Sequence, residues 1–450
     1  MNSIAVIILS LLYLVLLAAI IVNERGVINK CGADSFTVIL IFLVIYIILP
    51  SFVMHMLLGI YGSQLTTSNY FFDKVFSNLG LVDAATVYLL TLLFVLGLYA
   101  SARLESKRLV GALKNKNLVM RGRTSFLVIS ILLFICAKFF SGLGTNFLEM
   151  YANLVIFRNL GDAVERTFFT ANAFALTQTL CWLSAAISYK YFAEGQNKKA
   201  CFYLAAMLIS AFLMASRRGL IFPVLILYLS SVLYKNNFHF RKIFFLMPVV
   251  IIWVAFGKEV TGGLANNVDA EIVLDGYQST QSMILRATAD IGISQVESWA
   301  TFQFLEIFPR FGLDHLLSIL RRVPEGMIGL DIDWPERIVR ISTEAFATPN
   351  DADIPPGLIG QSWLDFPILG SFFWGIMIGI QSRILNIWAS RVAHSPTKIV
   401  FIVLLSLVIA MPLNTGSYDF IFSIDIIFLV VIVMIMFKVG ENYEKIESGS

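Results

Sequence analysis

Of 450 residues, 58% are hydrophobic and only 14% charged, and the mean hydropathy is +0.80. No soluble domain of this length tolerates such a surface, so the chain reads as an integral membrane protein with no nucleic-acid partner. The net charge of +3 is small and says nothing about partners until it is divided between the two membrane faces.

Apolar stretches recur at roughly 2–22, 36–59, 84–102, 125–142, 167–189, 200–216, 219–234, 243–257, 367–389, 398–413 and 420–437. At 1.5 Å per residue each approaches or exceeds what a hydrocarbon core of about 30 Å requires. Lipid offers no hydrogen bonds to a bare backbone, so the predicted fold class is all-α and polytopic, with about 11 transmembrane helices (10–12). The first stretch follows Met1-Asn2 directly, with no positive segment before it and no Ala-x-Ala site ahead of Glu24 and Arg25, and is expected to be a retained helix. Cys31, Cys136, Cys181 and Cys201 show no metal or disulfide spacing.

Charge sets the orientation. The segment after the third stretch carries Arg103, Lys107, Arg108, Lys114, Lys116, Arg121 and Arg123, which places it in the cytoplasm. Alternation then makes cytoplasmic Arg25 and Lys30; Lys190, Lys198 and Lys199; Lys235, Arg241 and Lys242; Arg391 and Lys398; and the tail with Lys438 and Lys445. The expected N-terminus is outside and the C-terminus inside. Three regions follow: 1–257, an N-terminal helix bundle; 258–366, a large outer loop; and 367–450, C-terminal helices and a cytoplasmic tail.

One outer connection breaks the charge rule. Ser216-Arg217-Arg218-Gly219 joins two apolar stretches and holds adjacent arginines at a face where positive charge is depleted. An anionic partner explains this, and phosphate suits the planar guanidinium fork best. The alternative is an interfacial anchor snorkelling to head groups.

The outer loop, Lys258 to Asp365, is not linker-like. Val296, Trp299, Phe302 and Leu305, then Leu313, Leu316, Leu317 and Leu320, recur at helical spacing and predict amphipathic helices lying on the membrane or over the bundle. Pro309 and Gly312 separate them, and Pro324, Pro335, Pro349, Pro355 and Pro356 make the later part irregular and rigid. Long structured loops of this kind are usually binding loops or lids. Its basic residues are Lys258, Arg286, Arg310, Arg321, Arg322, Arg337 and Arg340. That preference for arginine suggests anion binding of fixed geometry, although Arg337 and Arg340 can equally pair with Asp331, Asp333 or Glu336.

Among many loop carboxylates, Glu344 shares a helix face with Arg340 four residues earlier, and a paired carboxylate stays ionised. It is a candidate general base for a hydroxyl and equally a plain ion pair. No HExxH motif is present, and neither metal nor cofactor is expected. His315 fits an amphipathic helix better than catalysis, and His55 is expected at the outer interface. Lys138 and Asp425 lie inside stretches about one turn below the outer surface, where charge costs roughly 2.5–3.5 kcal/mol, and are candidates to pair.

An outer Arg-Gly turn at Ala215 to Ile221, a large late loop, and a loop exit Ile354-Pro355-Pro356-Gly357-Leu358-Ile359-Gly360 leading through Asp365-Phe366-Pro367 to Gly370 together resemble the bacterial O-antigen polymerase (Wzy) family. The likeness covers the layout of most of the chain, although its motifs are short. Arg218 matches the family's turn arginine by position, and Arg286 resembles the one that opens the helical part of the loop. Members often carry an acidic residue after the exit glycine, where this chain has Gln361.

The resemblance implies a GT-C-like, metal-independent glycosyltransferase at the periplasmic face of the bacterial inner membrane. It would use undecaprenyl-pyrophosphate-linked oligosaccharides as donor and acceptor, with membrane lipid and a chain-length-regulating co-polymerase as further partners. In that setting Arg217, Arg218, Arg286, Arg322 and Arg340 would hold pyrophosphate, Glu344 would act as base, and Trp299, Trp334 and Trp363 would stack on sugars. Two alternatives share parts of the pattern. An O-antigen ligase has the same architecture, and a lipid-linked oligosaccharide flippase would bury more charge and have shorter outer loops.

Overall fold

The computed structural model describes residues 3–31, 33–62, 65–67, 69–103, 117–142, 168–214, 217–235, 280–306, 309–312, 338–346, 354–390, 392–415 and 424–440. In chain order the helices are α1 (Ser3–Cys31), α2 (Ser35–Tyr61), α3 (Tyr70–Asn78), α4 (Leu81–Arg103), α5 (Gly122–Ser141), α6 (Phe168–Ala193), α7 (Asn197–Leu213) and α8 (Arg217–Lys235). They continue as α9 (Thr280–Ile291), α10 (Ile293–Phe304), α11 (Ile338–Phe346), α12 (Leu358–Asp365), α13 (Gly370–Ser390), α14 (Pro396–Thr415) and α15 (Ile424–Met436). Strands β1 (Asn117–Met120) and β2 (Phe437–Gly440) complete the set.

Ten of the eleven apolar stretches coincide with helices, and 243–257 lies outside the described residues. The protein is therefore all-α in its body and membrane-embedded. Among the described residues, four helical segments are long and apolar enough to cross a membrane alone: Ile4–Ile28, Ser35–Tyr61, Leu81–Ala102 and Pro396–Leu413. The pair α12 and α13, bent by 112° between Asp365 and Gly370, counts as a fifth by the same measure.

Burial separates centre from rim. In α2, 83% of the most apolar window is buried, against 33% in α1, so α2 is central and α1 peripheral. Asp34 starts α2 by accepting from the Thr37 amide at 3.1 Å, while the Thr37 hydroxyl accepts from the Asp34 amide at 3.2 Å. That hydroxyl also donates to buried Glu24 of α1 at 2.7 Å, and Asn386 of α13 donates to Asp34 at 3.0 Å. Capping and helix assembly thus use the same side chains. Helices α4 and α13 meet through glycines, because a Cβ on Gly97 would fall on the Phe372 carbonyl and one on Gly375 on the Phe94 carbonyl. Gly375 and Gly379 are four apart, the small-residue spacing by which membrane helices approach closely.

The ends of α6 and α8 and the turn between α13 and α14 meet at one end of the bundle. Tyr234, at the end of α8, stacks on His394 between α13 and α14 at 5.4 Å and meets Tyr189 of α6 at 6.4 Å. At that end β1 pairs antiparallel with β2, Asn117 opposite Gly440 and Met120 opposite Phe437, and the Arg121 amide donates to the Met436 carbonyl at 2.9 Å.

Two expectations are corrected. Helix α10 does not lie on a surface, because its consecutive residues Ser294 to Thr301 are all buried. The polar side of this helix is dry since its hydroxyls have partners: Ser298 donates to the Ser294 carbonyl at 2.7 Å and Thr301 to the Glu297 carbonyl at 3.0 Å. His55 is not interfacial either. It is fully buried, with ring centroids 5.7 Å from Tyr13 and 5.0 Å from Trp299.

Candidate functional site

Short helices from the outer loop pack over and into the end of the bundle opposite the strand pair, and α3 organises them. Asn69 caps α3 by accepting from the Phe72 amide at 3.0 Å, and Phe71, Phe72 and Val75 form its buried face. Lys74 donates to the Phe346 carbonyl at 2.7 Å and lies 4.9 Å from the centre of the Phe304 ring. Phe71 and Phe346 are 5.6 Å apart, and Gln303 donates to the Val75 carbonyl at 3.3 Å. One helix between the second and third apolar stretches therefore holds α10 and α11 in place.

Arg286 lies on α9 with its side chain only 10% exposed. Its Nε is 3.2 Å from Asp290 Oδ2 one turn on, and its guanidinium carbon is 4.9 Å from the centre of the Phe72 ring. One edge is thus held by a carboxylate and one face by an aromatic ring. The guanidinium is thus oriented, and among the described residues its two terminal nitrogens have no hydrogen-bond acceptor.

The loop exit is built against α10. The Ser294 hydroxyl accepts from the Leu358 amide at 3.0 Å and the Ser298 hydroxyl from the Gly360 amide at 3.2 Å, so two side chains of α10 cap the start of α12. Thr301 donates to the Pro356 carbonyl at 2.6 Å. Gly357 has φ +76° and ψ 155°, and a Cβ there would overlap the Ser294 carbonyl and the Ser298 amide. At the bend, Asp365 accepts from the Gly312 amide at 3.1 Å and from the Trp374 indole at 3.1 Å, linking the first and last parts of the loop.

The predicted site residues divide as follows. Arg286 is in this layer, and α11 brings Arg340 and Glu344 to it. Arg340 Nε and Glu344 Oε1 are 3.2 Å apart, as their spacing suggested, but the side chains are 71% and 61% exposed. Such an exposed pair stabilises a helix by only about 0.3–0.5 kcal/mol. Arg217 and Arg218 open α8, on the first turn, where unpaired amides already favour anions. Their side chains lie outside the described residues, as does that of Asp425. Lys138 is exposed near the end of α5. Arg322, His315, Trp334 and the second amphipathic run, Leu313 to Leu320, also fall outside them.

The tryptophans require a correction. Trp299 is fully buried between His55 and Phe76, at 5.0 and 6.4 Å, and offers no face to a sugar. Trp363 is half-buried, 4.4 Å from Phe302. The residues that sequence reasoning missed are Asp73 and Lys74. Lys74 is the sole basic residue between Ile60 and Asp83, a connection otherwise free of positive charge.

Fold and site together define an all-α membrane-embedded protein whose bundle is covered at one end by short helices that hold a buried arginine. Comparison with protein-family models, with curated proteins and with solved structures finds no match to this chain.

Proposed function

We propose that the protein polymerises undecaprenyl-pyrophosphate-linked oligosaccharide repeat units by metal-independent glycosyl transfer at the periplasmic face of a bacterial inner membrane. The observation that carries this reading is the held guanidinium of Arg286, whose terminal nitrogens have no acceptor among the described residues, in a layer rich in packed aromatic rings. A pyrophosphate leaving group presents the paired oxygens that such a planar fork receives. In the reaction an acceptor hydroxyl attacks the anomeric carbon of the donor sugar. The new glycosidic C–O bond forms as the C–O bond to pyrophosphate breaks, the hydroxyl proton passes to a base, and the leaving group takes the bonding pair. Arg217, Arg218, Arg286, Arg322 and Arg340 are the proposed holders of the departing charge, and Glu344 is the proposed base.

The finer architecture belongs to the same proposal: eleven spans in a GT-C-like arrangement, N-terminus periplasmic, C-terminus cytoplasmic, with a chain-length-regulating co-polymerase as partner. A strain deleted for the gene is expected to carry lipid A core capped with single repeat units. Complete absence of capped core would point to a ligase or a flippase, and unaltered long chains would overturn the reading.

A further inference from the structure

The end of α2, the connector after it and α3 enclose a cleft of about 540 Å³. That is within the range of about 300–1,000 Å³ typical of small-molecule sites. It is lined by Tyr70, Phe76, Asp73, Lys74 and Ser77 together with aliphatic residues including Leu58. Formal charge in this lining cancels. The ammonium is also committed, to the Phe346 carbonyl at 2.7 Å and the Phe304 ring at 4.9 Å, so the cleft is a poor receptor for phosphate.

Asp73 is different. Its Oδ1 accepts from the Thr67 amide at 2.6 Å and from the Thr67 hydroxyl at 2.8 Å, which fixes the carboxylate plane. Among the described residues Oδ2 has no partner. The Ser77 hydroxyl already donates to the Lys74 carbonyl at 3.1 Å. A fixed carboxylate acceptor and two aromatic rings around a neutral cavity match a ligand with many hydroxyls and an apolar ring face.

We infer that this cleft is a saccharide subsite, which binds a pyranose of the lipid-linked substrate through Asp73 Oδ2 and the Tyr70 and Phe76 rings. The inference rests on the proposed function for its substrate class. The same helix holds α11 through Lys74 and Phe71, so an occupied cleft would sit on the element that supports Arg340 and Glu344.

The test is saturation-transfer NMR on the full chain in lipid nanodiscs. The probe is the free oligosaccharide released by mild acid from the host's surface polysaccharide, and inorganic pyrophosphate is the competitor. Wild-type protein is expected to saturate the sugar ring protons, and excess pyrophosphate to leave that signal intact. Asp73→Asn keeps the Oδ1 acceptor but removes the charge and should weaken binding about tenfold or more. Ser77→Trp, at an exposed position, fills the cleft and should abolish the signal, and Tyr70→Ala should weaken it. No transfer with wild-type protein, displacement by pyrophosphate, or full binding by Ser77→Trp would overturn the inference.

Polymer length in the deletion strain is read separately. Normal polymer with intact sugar binding removes the polymerase reading and leaves the cleft. Lost polymer without sugar binding does the reverse.

Discussion

Replacing Gly357 by alanine tests how the loop exit is seated. Two costs add at this position. With φ +76° and ψ 155° the backbone occupies a region essentially reserved for glycine, where strain amounts to about 1–3 kcal/mol. The added Cβ also overlaps the Ser294 carbonyl and Ser298 amide, which are held by helix α10 and cannot rotate aside, and overpacking of this kind costs about 1–3 kcal/mol. Together they come to roughly 2–6 kcal/mol against a whole-domain stability of about 5–15 kcal/mol.

Gly195→Ala is the control. Gly195 also has positive φ, +73°, but nothing lies within 4 Å of its Cβ position. There the backbone penalty of about 1–2 kcal/mol is partly offset by the stiffer unfolded chain, leaving about 1 kcal/mol. Thermal unfolding of both variants in one detergent, followed by tryptophan fluorescence, should show a much larger loss of apparent Tm for Gly357→Ala. Equal shifts would mean that the exit does not press on α10, and the seating described here would be wrong.

Arg286→Lys keeps a charge but loses the planar fork, so polymer length should fall nearly as far as with Arg286→Ala, while protein level on a blot stays normal. The same comparison at Arg218 separates a pyrophosphate ligand from a lipid anchor: a bidentate contact predicts a loss of about 3 kcal/mol, about a hundredfold in rate, for lysine and alanine alike, whereas an anchor tolerates lysine. Gly375→Leu, on the α4–α13 contact, should destabilise the protein by about 1–3 kcal/mol and lower its yield in membranes, with no such loss for leucine at exposed Ile384. Alkaline phosphatase fused at Gly276 should be active and β-galactosidase at Asn115 should be active, and an inactive phosphatase fusion would reverse the orientation.

Much of the helical order was legible because an apolar stretch of membrane length leaves the backbone one choice. The course of the outer loop was not. Ser294, Ser298 and Thr301 alternate with Val296 and Trp299 in a pattern that reads as a wet face opposite an apolar one. Their hydroxyls instead serve their own helix and the amides and carbonyl at the start of α12, so the whole helix can go inside. The exit sequence Pro355-Pro356-Gly357 was visible as a motif, but why glycine is needed depends on a partner helix more than fifty residues earlier. The ion pair of Arg340 with Glu344 was readable from spacing alone, being local. The holding of Arg286 was half readable: Asp290 is one turn away, whereas Phe72 comes from a helix that carried no signal beyond one isolated lysine.

The strand pair has a consequence for biogenesis. Residue 117 finds its partner at residue 440, roughly three hundred positions later, so the ribbon cannot form until the last described helix has been inserted and the ribosome has passed its end. Until then the four positions of β1, beside α5, lack their partner strand, a mark that distinguishes a half-made chain from a finished one. A stop codon ahead of Phe437 would leave every other described helix and strand encoded yet keep that mark permanently, giving proteases on that side of the membrane a means of removing the truncated product while sparing the complete one.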